Sequence, residues 1–364
     1  MVRFYHGWIG RRLISALVGV FKGVASVRGS GESRGTALWG PAVPTWVAPC
    51  LCMGFGLAAM GMLLGCRGGE RAKLVDLHSV EPQSPASIHT SDSRRDLRVS
   101  ISSMVSPEDT RVLYKELMEY VGERSGRRVI LKQRRTYEEV NNLLAQGELD
   151  LAFLCSAQYV EAHDKFGAKL LVAPVVHGKT LYRSYIIVGA DSNAHSLQDL
   201  QGKKFAFSDP MSNTGCLVPT YLLAQMGQSP ETFFASCIFT GSHDNSIQAV
   251  SEGLVDGAAV DSLIYDSLRS RDPDLVRSTR AIVRSQPFGI PPLVVPPGID
   301  PKLEQALRSV FLAMHEDADG RAILEKLDIE RFVLTDDAAY DGVRKVHAFL
   351  ERQAHTQAGS AGRR

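Results

Sequence analysis

From Leu97 onward, short apolar runs alternate with stretches of helical periodicity. LRVSIS is a β-rich run. Ser106-Pro107-Glu108-Asp109 then supplies an N-cap, a proline at the first helical position and acids in the first turn. Leu113, Leu117, Tyr120 and Val121 follow at the spacing of one helix face. RVILKQ predicts the next strand, and Thr136-Tyr137-Glu138-Glu139 is a capping box opening a helix that stops near Gly147. LDLAFL predicts a strand, a helix follows through Phe166, and KLLVAPVV predicts another strand. In the second half YIIVGA, KKFAFS, CIFT, LVDGAAV, AIVRS and PPLVVP read as strands. Helices are predicted at SLQDL, over 212–225, 246–253 and 262–268, and across most of 301–352. Strand–helix alternation at this spacing predicts an α/β fold of two doubly wound lobes with a cleft between them. The tail over 353–364 carries no such pattern and reads as disordered.

The chain ahead of Leu97 is of another kind. Residues 1–65 hold six basic residues against the single acid Glu32, a net +5. They end in an uncharged, mostly apolar run from Val47 to Gly65. A basic region followed by an apolar stretch describes a secretory signal. Leu63-Leu64-Gly65-Cys66 resembles the lipobox of bacterial lipoproteins, in which the cysteine is lipidated and anchors the mature chain to a membrane. The competing reading is an uncleaved transmembrane anchor, since the run nearly suffices to cross a bilayer. Either way the rest of the chain is exported. Residues 66–95, polar and rich in Ser and Pro, read as a flexible tether.

This division changes what the charge means. The 364 residues carry 41 Lys+Arg and 40 Asp+Glu, a formal net charge of +1. From Cys66 onward there are 35 basic and 39 acidic residues, a net −4. A composition with 44% apolar residues excludes a disordered chain, and near-neutrality gives no support to nucleic-acid binding. The body contains Cys155, Cys216 and Cys237, an odd number for an oxidising compartment, which leaves any disulfide open. It has no CxxC spacing, so no structural metal site is expected.

In open α/β sheets, ligands sit beyond the carboxyl ends of the strands. The residues found there are small and polar: Ser102 and Ser103, Cys155 and Ser156, Asp209 with Ser212-Asn213-Thr214-Gly215, Gly241-Ser242-His243-Asp244, and Asp261 with Ser262. Taken singly, such residues commonly serve as turn and N-cap residues. Ser212-Asn213-Thr214-Gly215 carries the most chemistry. Hydroxyls and an amide at a helix start form an anion cradle that needs no Lys or Arg. His243 can donate to an oxyanion and change its charge near neutral pH. Asp261 repels a fully ionised oxyanion, which favours a ligand bearing a proton or an amine.

Asp209-Pro210-Met211-Ser212-Asn213-Thr214-Gly215-Cys216-Leu217-Val218-Pro219 resembles the signature of the phosphate/phosphite/phosphonate ABC-transporter substrate-binding proteins. Supporting segments are Thr136-Tyr137-Glu138, GELDLAF ending at Phe153, Tyr182-Arg183-Ser184-Tyr185, SLQDLQGK ending at Lys203, the GSHD at Gly241, and GLVDGAAVDS ending at Ser262. The resemblance spans about 96–350. It implies a type II periplasmic-binding fold, with 96–180 and 286–352 as one lobe and 181–285 as the other. The chain would cross between lobes near Lys179–Ile187 and Arg280–Pro292. It further implies a non-enzymatic, monomeric protein without cofactor or metal, which closes on a small oxyanion and delivers it to ABC permease subunits. Tyr137 and Tyr182 would contact the ligand or close the cleft, Ser212, Asn213 and Thr214 would bind its oxygens, and His243 and Asp261 would complete the pocket. Cys155 and Ser156 would line the cleft. A thiol there suits a thiophilic ligand, and arsenite-binding sensor proteins are similar to this family. The alternative expectation is therefore an oxyanion sensor signalling to a membrane histidine kinase. A third, an enzyme with Cys155 as nucleophile and His243 as base, requires the two within hydrogen-bond reach.

Overall fold

The computed structural model describes residues 96–361. The leader, Cys66 and the tether lie outside the described residues. The chain builds β1 (Asp96–Ile101), α1 (Pro107–Ser125), β2 (Arg128–Leu131), α2 (Tyr137–Ala145), β3 (Leu151–Phe153), α3 (Ser156–Phe166) and β4 (Lys169–Val175). It continues through β5 (Leu181–Tyr182), β6 (Ser184–Gly189), β7 (Lys204–Phe207), α4 (Val218–Gln225), α5 (Pro230–Phe233), β8 (Ser236–Phe239) and α6 (His243–Ser251). Next come β9 (Gly257–Asp261), α7 (Ser262–Arg271), α8 (Pro273–Arg277), β10 (Thr279–Arg284), β11 (Phe288–Gly289) and β12 (Leu293–Val295). The last elements are α9 (Pro301–Ala313), α10 (Ala318–Lys326), β13 (Arg331–Val333) and α11 (Asp341–Ala361).

Two α/β lobes result. A six-stranded sheet runs β13-β4-β12-β3-β1-β2, and a five-stranded sheet runs β10-β6-β9-β7-β8. Within each, the strands leading into the candidate residues are parallel: β1 with β3, and β7 with both β8 and β9. Their carboxyl ends therefore share one edge of their sheet. The lobes are joined by a two-stranded antiparallel ribbon in which Tyr182 of β5 faces Phe288 of β11. This is the type II periplasmic-binding architecture.

Both sheets are covered on both faces, which is why their strands read as nearly unbroken apolar runs. In β6, Tyr185 and Ile187 join one buried cluster while Ile186 and Val188 join another on the opposite face. In β3, Leu151 and Phe153 face the side packed by α1 and α9, and Ala152 faces the other. One cluster ties the lobes together, because Leu217 and Val218 of the second lobe pack with Val140, Tyr159, Tyr182 and Tyr340.

Local signals place the ends of elements near the site. Ser106 accepts from the Asp109 N–H with Pro107 at the first helical position. Thr136 Oγ1 accepts from the Glu139 N–H at 3.2 Å, and the Glu139 carboxylate accepts from the Thr136 N–H at 3.1 Å. That box fixes where α2 begins, and so where Tyr137 points.

Two segments differ from the sequence expectation. The helix expected over 212–225 begins instead as one π-helical turn, Asn213–Leu217, followed by α4. Pro219 has no N–H to give to Gly215, so the ordinary i→i−4 ladder cannot run through it. The tail expected to be disordered is helical to Ala361. Glu351, Arg352, Gln353 and Ala354 are residues of good helix propensity that favour its continuation. No helix among the described residues is long and apolar enough to cross a membrane.

Thr136→Ala removes the hydroxyl half of the box and is expected to cost about 1 kcal/mol. Chemical denaturation of the two proteins measures this, and equal midpoints would contradict it.

Candidate ligand-binding site

The π-helical turn is the centre of the candidate site. Ser212 caps it, with Oγ accepting the Gly215 N–H at 3.0 Å, and His243 Nε2 lies 3.4 Å from the same oxygen. Gly215 is dictated by space: a Cβ there would fall 1.9 Å from Ser208 Oγ and 2.9 Å from His243 Cε1. The structure thus packs a hydroxyl and an imidazole directly against backbone. π-turns of this kind recur at functional sites.

The first lobe and the ribbon supply the facing wall. The Asn213 N–H donates to Cys155 Sγ at 3.3 Å, and Asn213 Nδ2 donates to the Tyr182 hydroxyl at 3.1 Å. That hydroxyl is 3.8 Å from Cys155 Sγ. Tyr137, fully buried, donates its N–H to Asp209 Oδ2 at 3.2 Å, and burial raises the pKa of its phenol well above the ordinary value. Two further bonds cross the cleft. The Ser106 N–H donates to Asp244 Oδ2 at 2.9 Å, and the His243 N–H donates to the Met104 carbonyl at 3.0 Å. The lobes are closed on one another through polar groups at the strand ends.

The nine candidate residues are all buried. Tyr137, Cys155, Tyr182, Ser212, Asn213, Thr214, His243 and Asp261 are linked by the contacts above or by their shared turn. Ser156 is committed elsewhere, because its hydroxyl donates to the Gly289 carbonyl at 2.6 Å and so fastens α3 to the ribbon. Seven buried side-chain polar atoms among the described residues have no hydrogen-bond partner. Four belong here: Tyr137 Oη, Ser208 Oγ, Asn213 Oδ1 and Thr214 Oγ1. A buried polar atom left unpaired is costly, so such a concentration makes this cluster the candidate site for a polar ligand.

The electrostatics revise one expectation. Asp261 N–H donates to His243 Nδ1 at 3.2 Å, so the imidazole proton sits on Nε2. Burial pushes the His243 pKa down to about 4. His243 is therefore a neutral donor at physiological pH, and its charge does not change near neutrality. Asp261 moves the other way, to about 7, because burial outweighs the Leu263 and Ile264 N–H groups that hold its carboxylate. Asp209 rises to about 6 for the same reason. The cluster contains no Lys or Arg. It offers neutral donors and a carboxyl poised near neutrality, which suits an oxyanion that carries a proton or an organic group.

Cys155 and His243 share no hydrogen bond, and burial raises the Cys155 thiol pKa, so the pair has no nucleophile–base geometry. Cys155, Cys216 and Cys237 are free thiols. Among the described residues no group of three His, Cys, Asp or Glu side chains is placed to hold a metal ion.

Two contributors escaped the sequence reading. Gln158 Oε1 accepts from Ser102 Oγ at 2.6 Å and from the Cys155 N–H at 3.3 Å, while its Nε2 donates to the Tyr137 carbonyl at 2.9 Å. It braces three strand and helix ends behind the pocket. A glutamine in the first turn after Cys155-Ser156 is a signal that spacing alone does not separate from a solvated helix position. Ser208 reads as the end of the KKFAFS strand, and only its approach to Gly215 gives it a place.

A family profile described as ABC transporter, phosphonate, periplasmic substrate-binding protein matches residues 99–340. The chain belongs to that family. This phosphonate-family binding protein is 28% identical over 262 residues to the phosphate-import protein PhnD of Mycolicibacterium smegmatis, covering 65% of this chain and 80% of the relative. It is 23% identical over 275 residues to the phosphonates-binding periplasmic protein of Escherichia coli, covering 74% and 80%. In structure it resembles a binding protein component of an ABC phosphonate transporter from Pseudomonas aeruginosa, with TM-score 0.68 and 23% identity over 71% of this chain and 87% of that one. It also resembles PhnD1 of Prochlorococcus marinus in complex with methylphosphonate, with TM-score 0.64 and 18% identity over 71% and 98%. At these identities the solved structures establish the fold.

Two outcomes test the site's construction. Gly215→Ala places a methyl group inside Ser208 Oγ, and overpacking of this kind costs about 1–3 kcal/mol. A melting temperature equal to that of the unsubstituted protein would contradict the close approach. Asp261 has a folded pKa above its ordinary value of 3.8, so its contribution to stability is fully present below about pH 4 and is lost as pH rises through about 7. Asp261→Asn keeps the N-cap oxygen and removes that loss. With a unit shift worth about 1.36 kcal/mol, it is expected to stabilise the protein by a few kcal/mol at pH 8 and hardly at all at pH 4, read by denaturation at both pH values.

Proposed function

We propose that this protein captures a phosphorus oxyanion between its lobes, outside the cytoplasmic membrane, and delivers it to the transmembrane subunits of an ABC permease. The observation that supports this reading is that four of the seven unpaired buried polar atoms among the described residues belong to the cluster where the lobes meet: the Tyr137 hydroxyl from the first lobe, and Ser208 Oγ, Asn213 Oδ1 and Thr214 Oγ1 from the second. An anion seated there accepts from three hydroxyls and from His243 Nε2–H. A protonated oxygen of the same anion donates to Asn213 Oδ1 or to the Asp261 carboxylate. Ser212 positions the turn and can turn its own hydrogen toward the ligand. Tyr182 and Cys155 hold Asn213 in place. The ligand then completes hydrogen bonds that closure leaves unmade, which is the differential affinity for the closed form that hinge closure requires.

Family membership favours delivery to a permease over signalling to a sensor kinase. The relatives' names differ in the oxyanion, phosphate in one and phosphonates in the other, so ligand identity rests on this chain's own pocket. Cys155 stays a protonated thiol engaged by the Asn213 N–H, an arrangement that suits a positioning role better than covalent capture of arsenite. The anchoring part of the proposal is lipidation at Cys66, with 66–95 as tether and the binding unit acting as a monomer.

The test is a thermal-shift and calorimetric series on the full chain with phosphate, phosphite, methylphosphonate, 2-aminoethylphosphonate and arsenite. A phosphorus oxyanion is expected to raise the melting temperature with concentration, by mass action. Thr214→Ala or Tyr137→Phe removes one bond to a charged ligand, worth about 1.5–3 kcal/mol, and is expected to weaken binding roughly tenfold or more. A shift with arsenite alone would replace this reading with the sensor one. No shift with any of the five would remove the ligand assignment.

A further inference from the structure

The first turn of α1 is capped from the opposite lobe. Ser106 is its N-cap, and Ser106 Oγ accepts from the Asp109 N–H at 3.3 Å. In a capping box the acid at this third helical position turns back to the N-cap N–H, as Glu139 does at the start of α2. At α1 that donor is already taken. The Ser106 N–H donates to Asp244 Oδ2 of the second lobe at 2.9 Å. Asp244 is buried and also accepts from Ser242 Oγ, while Asp109 is half-buried. The two carboxyl groups therefore meet at one donor, within hydrogen-bond reach of each other. Glu108 of the same turn adds negative charge, and Arg271 at the end of α7 is the cation acting on Asp109. The His243 imidazole, next to Asp244 in α6, is neutral.

We propose that Asp109 and Asp244 form a proton-sharing pair across the cleft, so that capture of the ligand takes up a proton and weakens as the pH rises. The inference rests on the interlobe capture proposed above and adds its regulation by pH. When the lobes separate, the Ser106 N–H loses Asp244, and the Asp109 carboxylate can take its place as in an ordinary capping box. Both carboxyls are then in water. Closure brings them together and removes water, where two like charges are held only at a cost. A proton drawn from solvent relieves the repulsion: one carboxyl becomes a donor to the other, and Asp244 keeps the Ser106 N–H. Burial and the Asp244 charge both raise the Asp109 pKa above 3.8, against the opposing pull of Arg271. A raised pKa in the closed form contributes to closure fully in acid, and that contribution is lost as the pH climbs through the raised value. Neither carboxyl belongs to the unpaired cluster assigned to the ligand. The pair therefore sets how firmly the lobes shut, separately from which oxyanion they hold.

The experiment is calorimetry of the full chain with methylphosphonate and with phosphate, from about pH 5 to about pH 8, on the unsubstituted protein and on Asp109→Asn. The amide of the variant donates to Asp244 with no proton to take up. Ionisation of the ligand, of Asp209 and of Asp261 is common to both proteins and cancels in the ratio of their dissociation constants. That ratio, unsubstituted over variant, is expected to rise several-fold across the range, because only the unsubstituted protein closes against a second charge. A ratio that stays constant or falls with pH would overturn the proposal while leaving the capture function standing. Arg271→Gln keeps both carboxyls and removes the cation that opposes the shared proton. It is expected to bind nearly as the unsubstituted protein does at about pH 5 and several-fold more weakly at about pH 8. An equal change at both pH values would overturn the proposal as well. Failure of both ligands to bind at any pH would remove the functional reading and this proposal with it.

Discussion

Burying a hydroxyl or an amide oxygen without a partner costs about 1–3 kcal/mol, and the closed cleft holds four such atoms, on Tyr137, Ser208, Asn213 and Thr214. Everything nearby serves that gathering. The π-turn presents Asn213 and Thr214 on successive residues, Gly215 lets Ser208 approach without a side chain between them, and the capping box of α2 sets Tyr137 opposite. The arrangement uses no lysine or arginine. A ligand held there would be selected by the number and direction of neutral donors, and by the protonation of Asp261, rather than by bulk attraction.

Closure is written in the same currency. Carboxylates of the second lobe reach the starts of first-lobe helices: Asp244 takes the Ser106 N–H and Asp209 takes the Tyr137 N–H. Each carboxylate satisfies a donor that a helix start leaves open, so the two lobes hold each other by groups that would otherwise face water. On the other side of the ribbon the joining is apolar. Leu217 and Val218, directly after the anion cradle, pack with Tyr182 and Tyr340, and Tyr221 meets Phe349 of α11 edge to face at 5.0 Å. The π-turn is thus placed between a polar seam and an apolar seam that packs it against the first lobe.

Much of this was legible in the sequence, for physical reasons that differ from element to element. Strands buried on both faces announce themselves as apolar runs, and Ser106-Pro107 and Thr136–Glu139 announce helix starts, because each signal depends on neighbours in the chain. Ser212–Gly215 could be singled out because hydroxyl, amide and glycine at a strand end are chemically suggestive together. What escaped depends on contacts between distant segments. The role of Gln158 exists only because three strand and helix ends meet around it. Ser208 matters only through its distance to Gly215. The π-turn follows from Pro219 acting on a segment whose composition reads as ordinary helix. The neutral state of His243 is a consequence of burial, and residue type alone points toward a switch near neutral pH.

The central claim is that the unpaired atoms of the closed cleft are the ligand's partners. The most direct measurement is a crystal structure of the full chain grown with methylphosphonate. The account predicts the phosphonate oxygens within hydrogen-bond distance of Tyr137 Oη, Ser208 Oγ and Thr214 Oγ1. A phosphonate bound elsewhere, with Tyr137 and Thr214 still without partners, would contradict it.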